Sequence, residues 1–242
     1  MLRRIIEYFK FLRSLFKTNI RLMWGMWKLT KLPHPAITVF GGARIPFDSE
    51  IGKKATELTK MLAESGFSII TGGGPGIMEA ANLGAVEFLK TCKVNGGYCP
   101  KRLISAGVGL IHLNLERTNP YVQESIVMRH FFSRKWLLVR YSVGFIIFPG
   151  GFGTLDELFE IVTLIQCNRM LKVPIILIDR HYWSPLMDWI ETRALKNGML
   201  NLHDLTIIRV TDSVQEAADI IRKECLESKE SVFHNNDRVT KP

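Results

Sequence analysis

Two glycine clusters and one pair of adjacent carboxylates are where this chain of 242 residues could do chemistry. Residues 71–82 read TGGGPGIMEAAN and residues 149–157 read PGGFGTLDE. In the first, Gly72, Gly73, Gly74 and Gly76 stand between an apolar run and a helical pattern. Lacking a Cβ, they let backbone N–H groups approach an anion, and the helix N-terminus adds its partial positive charge. The stretch is neither G-x-G-x-x-G nor a Walker A, since no Gly-Lys-Ser/Thr follows, so dinucleotide binding and ATP hydrolysis lose their usual support. A tight turn explains one or two glycines, whereas four point to phosphate or ribose contact.

The second cluster repeats the device. Gly150, Gly151 and Gly153 free the backbone, and Thr154 is placed to cap the next helix and hydrogen-bond a phosphate. Asp156 and Glu157 fall in the expected first turn, where carboxylates commonly complement the helix dipole. Beside a phosphate, however, an acidic pair is repelled unless one member has a task. Upstream, MRHFFSRKWLLVR (128–140) carries Arg129, His130, Arg134, Lys135 and Arg140 on one expected helix. His130 and Arg134 are i,i+4 neighbours flanked by Phe131, Phe132 and Trp136, so part of that face is expected to be buried. A buried arginine requires an anionic partner, either Glu157 or a substrate phosphate. Glu79, Asn82 and Glu116 are weaker candidates for ribose hydroxyls, and a structural role is the plainer reading of each.

The elements that must position these residues are legible as an alternation. Apolar runs at 36–42, 67–74, 103–111, 143–151, 173–179 and 205–210 read as strands. Helical patterns fill 49–66, 77–90, about 120–141, 154–167, 184–197 and 213–228, the first closing on a glycine cap signal. Near-continuous Ile/Val/Phe strands between amphipathic helices predict an α/β fold, a doubly wound, Rossmann-like parallel sheet with helices on both faces. Ligands bind such sheets where strand carboxyl ends feed helix N-termini, and three of these strands end in glycine. The expected organisation is a basic helical arm over 1–33, a nucleotide-binding catalytic domain over 34–228 and a polar, disordered tail over 229–242.

The net charge of +9 suggests a nucleic-acid partner until its distribution is considered. Residues 1–32 hold eight Lys/Arg against one Glu, so the rest of the chain is nearly neutral and no specific nucleic-acid binding is expected. The arm lacks the uninterrupted apolar stretch of a signal peptide or a membrane span. At about 100° per residue its basic residues form one stripe, while Ile5, Phe9, Leu12, Phe16, Ile20, Met23 and Trp27 form another, with a break expected near Gly25. Such a helix packs on its own domain or on a second subunit, or else lies on a membrane surface. Four scattered cysteines without C-x-x-C spacing read as reduced thiols, and no metal site is expected. The chain is expected to be cytoplasmic, with peripheral contact at the inner membrane surface as the second reading of the arm.

GGGPGIMEAAN, then Arg134-Lys135, then PGGFGTLDE together resemble the Lonely Guy (LOG) family, long mislabelled as lysine decarboxylases; the likeness covers about residues 36–225. It implies a Rossmann-like homodimer that hydrolyses the N-glycosidic bond of nucleoside 5'-monophosphates without a cofactor, releasing base and ribose 5-phosphate. It further implies that Arg134 and Glu157 are catalytic and that Gly151, Gly153 and Thr154 bind the 5'-phosphate. Gly73, Gly74, Gly76, Asn82, Lys135 and Gly150 join them as substrate-binding candidates, with Glu79, Glu116, His130 and Asp156 in supporting places. Phe132 stands where plant-type members have a histidine, and the base could be adenine or an N6-modified adenine of the cytokinin kind. A non-catalytic nucleotide carrier or sensor would use the same loops. A lysine decarboxylase would need a Schiff-base lysine for pyridoxal phosphate, and neither glycine loop contains a lysine.

Overall fold

The computed structural model describes residues 2–33, 35–94, 104–110 and 118–227. Glu116 and the expected tail at 229–242 lie outside them. Among the described residues seven strands form one parallel sheet in the order β4-β3-β2-β1-β5-β6-β7. They are β1 (Ala36–Phe40), β2 (Ser68–Thr71), β3 (Ser105–Leu110), β4 (Glu124–Met128), β5 (Ser142–Ile147), β6 (Ile175–Ile178) and β7 (Ile208–Thr211). The helices are α1 (Leu2–Leu29), α2 (Glu50–Glu64), α3 (Ile77–Val94), α4 (Phe131–Arg140), α5 (Phe152–Gln166), α6 (Arg180–Trp189) and α7 (Val214–Glu227).

Period-2 alternation along the strands divides the core into two layers. Ile37, Val39, Ile146, Phe148, Ile176 and Ile178 face α2, α3 and α7. Ala36, Phe40, Phe145, Ile147, Ile175 and Leu177 face the side of α1, α4 and α5. Both faces are therefore apolar, which is why the strands read as unbroken hydrophobic runs. Ser49 caps α2 by accepting from the Gly52 amide, and Gly66 at φ +88 ends that helical segment as its sequence predicts.

Three expectations are corrected. The helix expected over 120–141 is β4 followed by α4. Ile126 and Met128 point inward while Ser125 and Val127 point out, the alternation of a half-covered edge strand. The strand expected at 205–210 is a 3-10 turn over Leu202–Ile207 followed by β7, with Asn201 and Asp204 forming a capping box. Finally, α1 does not break at Gly25. A Cβ there would come within 2.6 Å of Met128 Cε and 2.8 Å of Leu137 Cδ1, so the glycine lets the helix seat closely against β4 and α4. Lys28 fixes that seat, its Nζ lying 2.5 Å from Glu124 Oε1 and donating to the Ser125 carbonyl at 3.0 Å. Among the described residues no helix is long and apolar enough to cross a membrane.

The chain reverses its direction of sheet growth between β1 and β5, which makes their carboxyl ends the topological switch point. There the Gly42 amide donates to the Pro149 carbonyl at 2.9 Å, joining the loop after β1 to the one after β5. The Ile77 amide donates to the Gly42 carbonyl at 3.2 Å and brings the β2 loop to the same edge.

Candidate functional site

The Pro-Gly-Gly turn after β5 delivers the start of α5. Gly151 is its N-cap, with no side-chain cap hydrogen bond, and the helix begins at Phe152. The N–H groups of such a first turn have no intrahelical acceptor and face outward. Thr154 is thus the third residue of the helix rather than its cap, 5% exposed. No acidic residue lies in that turn, and Asp156 and Glu157 come in the second. The two carboxylates expected in the first turn therefore belong one turn further along the helix. Gly151 and Gly153 are exposed, and a Cβ on either would meet nothing within 4 Å. Their lack of side chains has no packing reason, so the space they leave is open to a ligand.

Arg134 occupies the ground between the two glycine clusters. From α4 its Nε donates to the Val108 carbonyl at 2.9 Å, and Nη1 lies 3.5 Å from Glu157 Oε1. The two side chains are only 10% and 12% exposed, and water screens such a pair weakly. Over the first loop, a Cβ at Gly72 would overlap the Arg134 guanidinium and sit 2.7 Å from Met78 Sδ. Gly72 thereby lets the guanidinium lie directly on the β2 loop. The partner expected for a buried arginine is present, and it is Glu157.

Lys135, the next residue, faces α5 instead. Its Nζ lies 2.8 Å from Asp156 Oδ2 and 2.9 Å from Glu160 Oε2, one residue before and three after Glu157. Burial alone would push its ammonium down, but the two carboxylates outweigh that and hold it above the ordinary lysine value. Lys135 and Asp156 together clamp α4 to α5. His130 is the N-cap of α4 in extended backbone, not a residue of the helix, and its ring stacks on Phe132 at 5.7 Å.

The first glycine loop is held from beneath. Asn82 is fully buried. Its Oδ1 accepts from Thr71 Oγ1 at 2.7 Å and from Asn119 Nδ2 at 3.1 Å, and its Nδ2 donates to Ser105 Oγ at 2.7 Å. Asn119 Nδ2 also donates to the Gly74 carbonyl at 2.9 Å, and its amide to the Gly73 carbonyl at 3.0 Å. Asn82 is accordingly a support of the loop, the structural role that was the plainer reading of its sequence position. Gly73 and Gly76 take φ of +77 and +73, the left-handed turn that glycine alone adopts without strain. Glu79 sits half-buried in the first turn of α3. A cleft of about 120 Å³ opens beside the loop between Gly72, Gly73, Gly107, Gly109, Thr118 and Ser125.

Two residues that hold the glycine loops escape sequence reasoning. Tyr182 Oη donates to the Gly150 carbonyl at 2.5 Å and steadies the second loop from α6. Asn119 ties down the first. Neither stands in a motif, because only the fold brings them there. A separate groove of about 750 Å³ lies along α4 and α5, lined by Phe132, Lys135, Trp136, Arg140, Asp156 and Glu160 among others. No group of three or more potential metal ligands occurs among the described residues.

Residues 78–221 match a family model described as "Possible lysine decarboxylase". A cytokinin riboside 5'-monophosphate phosphoribohydrolase of Rhodococcoides fascians is 27% identical over 77% of this chain and 89% of its own. A pyrimidine/purine nucleotide 5'-monophosphate nucleosidase of Escherichia coli is 34% identical over 46% of this chain and 24% of its own. Among solved structures, a structural-genomics target superposes with a TM-score of 0.54 at 23% identity, covering 78% of this chain and 99% of that one. The molybdenum cofactor binding protein of Rippkaea orientalis superposes at 0.51 and 22%, over 78% of this chain and 96% of its own. Both structural likenesses concern the fold.

Proposed function

Because the chain belongs to the LOG family, we propose that it hydrolyses the N-glycosidic bond of a nucleoside 5'-monophosphate to free base and ribose 5-phosphate. The observation that carries this reading is the buried Arg134–Glu157 pair between two glycine loops at the sheet's carboxyl edge. The relatives' names supply the substrate class, a nucleotide monophosphate, with adenine or an N6-modified adenine as the base to test first.

In the proposed reaction the 5'-phosphate lies against Gly150, Gly151, Gly153 and Thr154, received by the outward N–H groups of α5's first turn. That contact, remote from the reacting carbon, positions the sugar. The C1'–N bond breaks through an oxocarbenium-like state that the Glu157 carboxylate stabilises. The departing base nitrogen takes up a proton from solvent, water adds to C1' with its proton passing to Glu157, and Glu157 returns that proton to solvent, so one water is consumed overall. Arg134 is a positioning residue, aiming the Glu157 carboxylate from its anchor on the Val108 carbonyl. Gly73, Gly74 and Gly76, carried by Asn82 and Asn119, form the opposite wall. The exposed Phe131, Phe132 and Trp136 are the surface we assign to a homodimer.

The decarboxylase activity in the family model's description does not fit these residues. A Schiff-base lysine needs its amine made easier to deprotonate, whereas Lys135, beside Glu157 in the site, is held the opposite way by two carboxylates. Incubation with a panel of nucleoside monophosphates, including AMP and its N6-isopentenyl analogue, with chromatography of free base, tests the proposal. Base release that Glu157→Gln abolishes supports it. Tight binding with no release from any monophosphate overturns it in favour of a carrier.

A further inference from the structure

We propose that helix α1 binds an anionic lipid surface through the apolar stripe it turns away from the domain. The helix has two apolar faces. One is used internally: Leu22, Met26 and Leu29 pack into the core, and Gly25 seats against Met128 and Leu137. The other, Ile5, Phe9, Leu12, Phe16, Ile20, Met23 and Trp27, lies about half a helical turn from Gly25 and is exposed at every position. Packing on the domain, the plainer reading of the arm, thus accounts for the inner face only from Leu22 to Leu29; toward the N-terminus Tyr8, Phe11 and Leu15 of that face are exposed too, and the outer stripe is in solvent along its whole length.

Charge selects the occupant. Arg3, Lys10, Arg13, Lys17 and Arg21 flank the stripe, and of the arm's charges only Glu7 is acidic, itself beside Lys10 at 3.0 Å. A second copy of the same helix would set one strongly basic arm against another, whereas an anionic bilayer complements it. Trp24 and Trp27 carry the ammonium groups of Lys28 and Lys31 over their rings at 3.9 and 3.5 Å. Aromatic rings beside cations are what the boundary between headgroups and acyl chains accommodates. Since no described helix can cross a membrane, α1 would lie along the surface.

The full chain is tested by co-sedimentation with phosphatidylcholine vesicles with and without phosphatidylglycerol. Binding is expected only to the anionic vesicles, weakening with salt and shifting tryptophan emission to the blue. Phe16→Glu with Ile20→Glu, and separately Arg13→Glu with Lys17→Glu, should each reduce partitioning by at least about tenfold. Base release should be unchanged in both, because neither pair touches the site, and this separates the proposal from the proposed reaction. Failure of the unmodified protein to bind anionic vesicles, or equal binding by the Phe16/Ile20 variant, overturns it. So does a smaller assembly for that variant in light scattering without lipid, which would assign the stripe to another protein copy.

Discussion

Arg134 Nη1 lies 3.5 Å from Glu157 Oε1 while its Nε is anchored on the Val108 carbonyl, so one guanidinium aims a carboxylate from a fixed backbone point. Glu157→Gln preserves the shape and removes the charge. Base release should fall about 100-fold to 10,000-fold with the far-UV spectrum unchanged. Arg134→Met should lose comparable activity and also some stability, because it removes the cation that faces a nearly buried carboxylate. Turnover by Glu157→Gln close to that of the unmodified chain would remove the carboxylate from the chemistry.

The glycines separate by what surrounds them. Gly151→Ala and Gly153→Ala enter open space, so thermal stability should stay within about 0.5 kcal/mol while KM for the monophosphate rises and kcat changes less. Gly72→Ala meets the Arg134 guanidinium and should lower kcat instead. Steady-state kinetics on the three variants distinguish phosphate contact from displacement of Arg134.

Lys135 gives the α4–α5 clamp a pH signature. Its folded value is raised, so the stabilisation is complete below the ordinary lysine range, roughly 10.4, and is lost as pH rises through the higher folded value. Lys135→Met should cost about 1 kcal/mol near pH 8, given partners that are partly exposed. In urea titrations the gap between variant and parent should close in the alkaline range. A gap that stays constant would mean the ion pairs do not carry the clamp.

Thiol reactivity should follow burial. Cys167 is exposed, whereas burial pushes the Cys225 thiol up to about 12. Iodoacetamide at pH 8 is expected to modify Cys167 in the native protein and Cys225 only after denaturation, as read by peptide mass. Early modification of Cys225 would show that α7 opens from the sheet.

The parallel sheet was legible because strands covered on both faces are apolar throughout. β4 was not, since it is an edge strand of five residues whose short alternation runs straight into the aromatic and basic α4. In the candidate site, the two glycine clusters stood out by local spacing, and the pairing of a buried Arg134 with Glu157 was one of two partners its sequence context allowed. The partners of Asn82 were not legible: its amide meets Asn119, Ser105 and Thr71, which only folding assembles. The true start of α5 escaped for a related reason, as Thr154 is a good cap by residue type but Gly151 holds that position.

The hydrogen bond from Gly42 to Pro149 has a kinetic meaning. It closes a loop of roughly a hundred residues, and such long-range contacts form late because their closure entropy must be overcome first. The pocket edge, closed together with the β1–β5 pairing, is therefore expected to mature with the sheet rather than with the helices. Recovery of ligand binding after dilution from denaturant should lag behind recovery of helical signal, making the site a clock for completion of the sheet.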